Sequence, residues 1–258
     1  MAHFLAHISK SLSDRLFKAA RDTSKSLFPV RYHELQRFAL MSFLFFLISV
    51  VYNLLRSMKL AMVISAPSAG AVIIPFLKVW GILPGALIMT YIYTRLAQRL
   101  SRERVFYGMT AIFIGFFLCF LLFIFPNREL LECRELSKFL TNILPPGCKG
   151  LIAMLRYWHF SLFYVFSELW ATMLMSILLW GYVNETSSLD QAGRFYSLFM
   201  VAINIGTFLA GKLGYVLSNL PVKLGAEAWE QSAYLILCVV LVCCALILLI
   251  RMRLATLT

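Results

Sequence analysis

One acidic residue lies inside a long apolar run, where a charge is costly. Glu168 interrupts residues 166–170, whereas the other eleven of the twelve acidic residues lie in the N-terminal segment or in polar loops. An ionisable side chain at the centre of a membrane helix costs about 2.5 to 3.5 kcal/mol on insertion scales, and it is usually paired, neutralised or facing an aqueous cavity. Glu168 is therefore a candidate for a substrate- or ion-linked site. The alternative is a protonated carboxyl group that is hydrogen-bonded inside a helix bundle.

Three further polar residues, Asn53, Arg56 and Lys59, follow one another in steps of three at the end of the first apolar run. Such steps place side chains next to one another on a helix face, and the apolar pattern continues beyond them through residues 60–64. We interpret the group as a cationic stripe that faces a cavity for an anion, because Arg clamps phosphate oxygens in a fork and Lys adds a point charge. The alternative is that Arg56 and Lys59 mark the membrane interface and extend their charged ends into water.

The sequence lacks the motifs of soluble enzymes. It contains no Gly-rich phosphate loop, no metal-spaced pair of histidines and no nucleophile elbow, and its six cysteines show no metal spacing. We therefore predict no enzymatic activity and no cofactor. Cys133 and Cys148 share one polar loop, where they either form a disulfide in an oxidising compartment or stay as free thiols.

These residues are set in an unusually apolar chain. Hydrophobic residues make up 61% of the 258 residues and charged residues 14%, whereas a soluble domain carries roughly 25% charged residues. The apolar residues form continuous runs long enough for a helix to cross the hydrocarbon core, without the alternation of a barrel. We predict an all-α polytopic membrane protein with six transmembrane helices. The predicted spans are residues 38–55, 79–94 (extended by 73–77), 105–125, 157–183, 195–217 and 232–250.

Positive charges are unevenly divided between the two sides of these spans. Fourteen Lys and Arg residues fall on the side of the N-terminus and ten on the other, with most of the fourteen in the N-terminal segment and the loop 95–104. Loops rich in Lys and Arg stay cytoplasmic, so we predict that both termini are cytoplasmic. Topology also accounts for the net charge of +12, and we predict no nucleic-acid partner.

Residues 1–36 form a basic segment ahead of the first span. Leu5, Ile8, Leu12 and Leu16 recur at spacings of three and four, which predicts an amphipathic helix on an anionic membrane surface. A transit peptide is the alternative, although Asp14 and Asp22 argue against it. The predicted domains are this cytoplasmic segment, a six-helix transmembrane domain at 37–253 and a tail at 254–258. The basic residues of the segment are Lys10, Arg15, Lys18, Arg21, Lys25 and Arg31.

Several strings in the chain are similar to those of the ATP/ADP translocase (nucleotide transporter) family of intracellular bacteria and plastids. The similarity covers about residues 34 to 215, in the family's order. The strings are LLRSMK at 54–59, APSAGA at 66–71, IPFLKVWGILPGA at 74–86, LSRERVFY at 100–107, SELWATMLMSILLWGYVNET at 167–186 and RFYSLFMVAINIG at 194–206.

The resemblance implies a protein that exchanges ATP for ADP, or imports nucleotides, across an inner membrane. Lys59 and Glu168 match positions that are important for transport in that family, and Asn53 and Arg56 lie beside the first of them. The resemblance therefore makes these four residues the candidate substrate-binding set. The sequence departs from the family at three positions, where Ser57, Leu60 and Val72 replace acidic residues.

The family resembles major-facilitator transporters, which are built as two halves of six helices with the substrate between the halves. By this resemblance the chain is the N-terminal half, and a second six-helix half is expected in the same or a separate chain. A fragment, a split-gene half and a homodimerising half-size carrier are all consistent with this. The expected activity is ATP/ADP exchange, most readily in a bacterial inner membrane and less so in a plastid inner envelope. The alternatives are a proton-coupled importer of nucleotides or other anionic metabolites, and a non-transporting remnant.

Overall fold

The structure, a computed structural model, describes residues 35–66, 70–186, 189–223 and 228–256. These residues form helices joined by short turns, and no strand occurs among them. The prediction of an all-α fold is confirmed. The predicted amphipathic segment at 1–36 lies almost entirely outside the described residues, and the division into domains stays a prediction.

Within the described ranges, six helices are long and apolar enough to cross a membrane, as the sequence predicts. Spans 5 and 6 lie within the longer helices Leu189–Lys223 and Ala228–Ala255. The spans, numbered in chain order, are Leu35–Ser65, Gly70–Arg99, Arg102–Ile124, Trp158–Asn184, Phe195–Asn219 and Glu230–Ala255.

The predicted end of span 1 at residue 55 was wrong, because the helix continues to Ser65. Lys59 is buried within this extension, so it does not mark the end of the membrane-embedded helix. The helix stops just before Pro67, whose ring disfavours a helical conformation in the preceding residue.

Span 2 is an irregular helix. It begins with the 3-10 turn Gly70–Val72, continues as the α-helical turn Ile73–Phe76 and the wide π-helical segment Leu77–Ile82, and becomes regular at Leu83–Arg99. Pro84 lies two residues after the end of the wide segment. Because proline has no N–H and its ring crowds the preceding turn, it accounts for the loss of regular α-helical bonding there.

Span 1 is the central helix of the bundle, since it packs against spans 4, 5 and 6. Within an 18-residue apolar stretch of each span, 56% is buried inside the bundle in spans 1 and 4, compared with 17% in span 2 and 11% in span 5. Span 4 meets span 3 through a cluster of aromatic rings in which Phe113 and Phe117 lie beside Trp170. Spans 1 and 4 therefore form much of the interior of the bundle, and spans 2 and 5 present broad apolar faces outward.

The segment between spans 3 and 4 is folded, with short helices at Arg134–Ile143 and Lys149–Arg156. Glu132 accepts hydrogen bonds from Arg134 Nε at 2.9 Å and Arg156 Nη2 at 3.3 Å. Burial tends to raise the pKa of the Glu132 carboxyl, but the two guanidinium groups outweigh it and hold this pKa below its usual value. In the same segment Cys133 and Cys148 are free thiols, so the structure contains the second of the two predicted alternatives.

Candidate functional site

Lys59 and Glu168 form an ion pair between spans 1 and 4. Only 4% of the Lys59 side chain is exposed, whereas 38% of the Glu168 side chain is. The ammonium group also lies over the ring of Tyr164, 4.8 Å from its centroid. Glu168 therefore has a cation as its partner in this structure, and its role in a substrate- or ion-linked site stays a prediction. Because Lys59 is buried and paired, the alternative in which it extends into interfacial water is wrong.

Span 4 places both partners of Lys59 on one face. Tyr164 and Glu168 are four residues apart on the helix Trp158–Trp170, and residues at this spacing lie one above the other. Directly after Trp170, span 4 continues as a wider π-helical segment, Ala171–Leu179. Such wide turns occur frequently at functional sites in α-helices.

Two more cations lie near this pair. Arg56 and Lys78 are both exposed, and both are close enough for their positive charges to act on the Lys59 ammonium. Three cations, Lys59, Arg56 and Lys78, therefore share the region with the carboxylate of Glu168, as far as the described residues show. The surplus of positive charge suits the binding of an anion.

Sequence reasoning missed Lys78 as a site residue. It was counted only among the ten Lys and Arg residues on the side of the membrane opposite the N-terminus. It lies in the π-helical segment of span 2, between apolar residues on either side. The criterion that singled out Glu168, a charge inside an apolar run, applies to Lys78 as well. The main part of the predicted span 2 began at residue 79, so Lys78 was counted as a loop residue and not as a charge inside a span.

Asn53 has a different set of neighbours. Its amide donates to the Ser49 carbonyl at 2.9 Å and to Thr207 Oγ1 of span 5 at 3.1 Å. Each step of three residues along an α-helix falls about 60° short of a full turn, so Asn53 and Lys59 point about 120° apart. The stripe therefore divides, with Lys59 towards span 4 and Asn53 towards span 5. A role for Asn53 in substrate binding stays a prediction.

Six helices able to span a membrane among the described residues, two of them joined by an ion pair, define a multi-pass membrane protein. The family model described as TLC ATP/ADP transporter matches residues 14–257. The chain belongs to this family, and the resemblance stated from its sequence strings is confirmed.

Individual relatives agree with the family. The chain is 38% identical to ADP,ATP carrier protein 1 of Chlamydia muridarum over 86% of its own length and 42% of the relative's. It is 40% identical to ADP,ATP carrier protein 2 of Chlamydia trachomatis over 79% of the chain and 38% of the relative. For ADP,ATP carrier protein 4 of Rickettsia prowazekii the identity is 35%, over 81% of the chain and 40% of the relative. The chain thus spans about two fifths of the length of these relatives, and no solved structure matches it.

Proposed function

We propose that this chain is one six-helix half of a carrier that exchanges ATP for ADP across a bacterial inner membrane, and that it is not an enzyme. Its relatives are named ADP,ATP carrier proteins, and its family is a transporter family. The observation that carries the proposal is the ion pair between the buried Lys59 and the partly exposed Glu168, in a region with surplus positive charge.

The ion pair provides a way to bind and release a polyanion. A buried ammonium group without a partner is strongly unfavourable, since it has lost its hydration. Glu168 compensates Lys59 when no substrate is bound. When ATP or ADP enters, its phosphate oxygens replace the carboxylate as partner of Lys59, and Arg56 and Lys78 add their charges. The site is therefore compensated in both states, which favours exchange of one nucleotide for another.

A second six-helix half completes the proposed carrier. In transporters built from repeats, the substrate binds near the middle of the membrane at the interface of the two halves. In this chain the ion pair lies on spans 1 and 4, and Arg56 beside it is exposed. Lipid is a poor neighbour for an exposed guanidinium group, which supports a cavity shared with a second half in the same or another chain.

A proton-coupled importer is the second candidate, and the exposure of Glu168 favours it. The Glu168 side chain is 38% exposed although its partner is buried, so a proton can reach the carboxylate from an aqueous cavity. Protonation would remove the negative charge and free Lys59 for an anionic substrate. Exchange and proton coupling thus use the same residues but differ in what drives the cycle.

The two candidates are separated by uptake of labelled ATP into proteoliposomes that contain the full chain. An exchanger takes up ATP only when ADP is loaded inside, and a protonophore leaves this uptake unchanged. A proton-coupled importer needs no internal ADP and stops when the protonophore is added. Lys138→Gln is a matched control for Lys59→Gln, because the Lys138 side chain is 73% exposed in the short helix Arg134–Ile143 between spans 3 and 4.

Cross-linking of the same samples tests the assembly. We expect transport in preparations where two six-helix units are joined, either as two copies of the chain or as the chain with a separate second half. Nucleotide transport by a purified monomer would contradict the two-half assembly.

A further inference from the structure

A cavity of about 360 Å³ lies between spans 2, 3, 4 and 6, at the end of the bundle that is predicted to be cytoplasmic. We propose that it binds a phosphate group, carried by a lipid headgroup or by a soluble anion. Its volume lies within the range of about 300 to 1,000 Å³ that is typical of small-molecule sites. Its polar lining includes Tyr93, Arg102, Tyr182 and Arg251.

Arg251 is a buried cation, two of whose nitrogen atoms have no hydrogen-bond partner among the described residues. The residue is only 2% exposed, and its Nε and Nη1 atoms have no hydrogen-bond acceptor. Its Nη2 atom lies 3.7 Å from Glu103 Oε1, which is longer than a hydrogen bond. Buried polar groups are nearly always hydrogen-bonded, so these donors indicate an acceptor that is not part of the described chain.

The surroundings hold the guanidinium group in place and leave its donors available. Its Cζ atom lies 3.9 Å from the ring centroid of Tyr182 and 5.6 Å from that of Phe106. Arginine stacks on aromatic faces in this way while its N–H groups stay free to donate in the plane. The two rings therefore support the cation and supply no acceptor for its N–H groups.

The chemistry of the lining identifies the acceptor as an anion with several oxygens. The fork of N–H groups on arginine matches phosphate oxygens, and the exposed Arg102 adds a second positive charge to the wall. Glu103, 3.7 Å from Arg251, offsets part of this positive charge without reaching hydrogen-bond distance. Basic pockets between membrane helices on the cytoplasmic side are typical sites for anionic lipid headgroups.

This site is separate from the Lys59–Glu168 pair and does not rest on the proposed function. Glu168 and Tyr182 are fourteen positions apart on span 4, which corresponds to about 20 Å of helix. Glu168 lies near the middle of the span and the cavity at its C-terminal end, so occupation of the cavity by a phosphate group does not require transport.

Two probes test the proposal on the purified full chain. The first is retention of phosphatidylglycerol, relative to phosphatidylcholine, measured by native mass spectrometry. The second is the effect of inorganic phosphate on the melting temperature in phosphatidylcholine nanodiscs. Both are applied to the wild type and to Arg251→Gln, Arg102→Gln and Arg253→Gln. Arg253 is the matched control, since it is exposed two residues further along the same helix and does not line the cavity.

We expect the wild type and Arg253→Gln to bind one of the probes and Arg251→Gln to bind it about tenfold more weakly, because hydrogen bonds to charged groups are lost. Arg102→Gln should weaken binding by a smaller factor. Because this change is at an exposed position and leaves the buried lining intact, it also tests the proposal if Arg251→Gln does not fold. Preference for phosphatidylglycerol alone assigns a lipid headgroup, and stabilisation by inorganic phosphate assigns a soluble anion. The proposal is overturned if the wild type binds neither probe, or if Arg253→Gln weakens binding as much as Arg251→Gln and Arg102→Gln do.

Discussion

Span 1 makes two very different contacts within ten residues. Towards span 4 it presents the charged Lys59 to Glu168. Towards span 5 it presents Ser49 and Asn53 to the hydroxyl of Thr207. Charges inside a membrane are expensive and mark functional sites, whereas neutral polar and small residues join helices. One polar stripe therefore contains a candidate transport site and a helix-packing contact.

The contact with span 5 depends on a close approach of the two backbones. A Cβ atom added at Gly206 would lie 2.8 Å from the Phe46 carbonyl oxygen and 3.1 Å from the Ser49 Cβ. Ser49 Oγ donates to the Ile203 carbonyl at 2.9 Å across the same gap. Small residues that admit such hydrogen bonds are the usual means of helix association in lipid. The two contacts of span 1 are therefore expected to respond differently to mutation.

The largest expected effect is that of Lys59→Gln on nucleotide uptake. Loss of the cation removes a charge-assisted bond to phosphate, so uptake should fall by about ten- to a hundredfold. The remaining Glu168 carboxylate is partly exposed and can be hydrated, so the protein should still fold. Uptake is measured in proteoliposomes alongside Lys138→Gln, which should behave as wild type. Near-normal uptake by Lys59→Gln would remove this residue from the site.

Glu168→Gln should affect stability more than Lys59→Gln does and uptake less. It leaves the buried Lys59 ammonium group without its carboxylate, and because Glu168 is 38% exposed we expect a cost below the roughly 3 to 5 kcal/mol of a fully buried pair. Adding Lys59→Gln to Glu168→Gln should recover part of the melting temperature and none of the uptake. If the double variant were as unstable as the sum of the single changes, the two residues would not be coupled.

Gly206→Ala should loosen the contact of span 1 with span 5. The added methyl group meets backbone atoms that cannot turn away, and overpacking of this kind costs about 1 to 3 kcal/mol. Gly211→Ala in the same span is the matched control, because a Cβ there meets nothing within 4 Å. Equal melting temperatures for the two variants, measured in detergent, would show that the close approach does not contribute to stability.

Asn53→Ala should have the smallest effect. It removes the hydrogen bond to Thr207, and a bond between membrane helices contributes about 0.6 kcal/mol on average. We expect a small fall in melting temperature and nearly unchanged uptake. A loss of uptake as large as that of Lys59→Gln, without a loss of stability, would instead place Asn53 in the substrate site.

The number, type and approximate position of the spans could be predicted from sequence, because the length and composition of an apolar run decide whether a helix is stable in lipid. The same reasoning identified Glu168, since a charge within such a run stands out without knowledge of its neighbours. The boundaries of the spans were predicted less accurately, and the helix of span 1 ends ten residues later than predicted. A lysine inside the bundle and a lysine at the interface look alike in sequence.

The partners of these residues follow only from the tertiary structure. Asn53 and Thr207 are 154 positions apart, and Arg251, which looks in sequence like a charge at the end of the last span, is buried against Tyr182. The apolar pattern determines that a helix lies in the membrane, but its rotation and neighbours depend on packing against the other five. That packing decides which polar residues meet another polar group, which meet a cavity and which meet lipid.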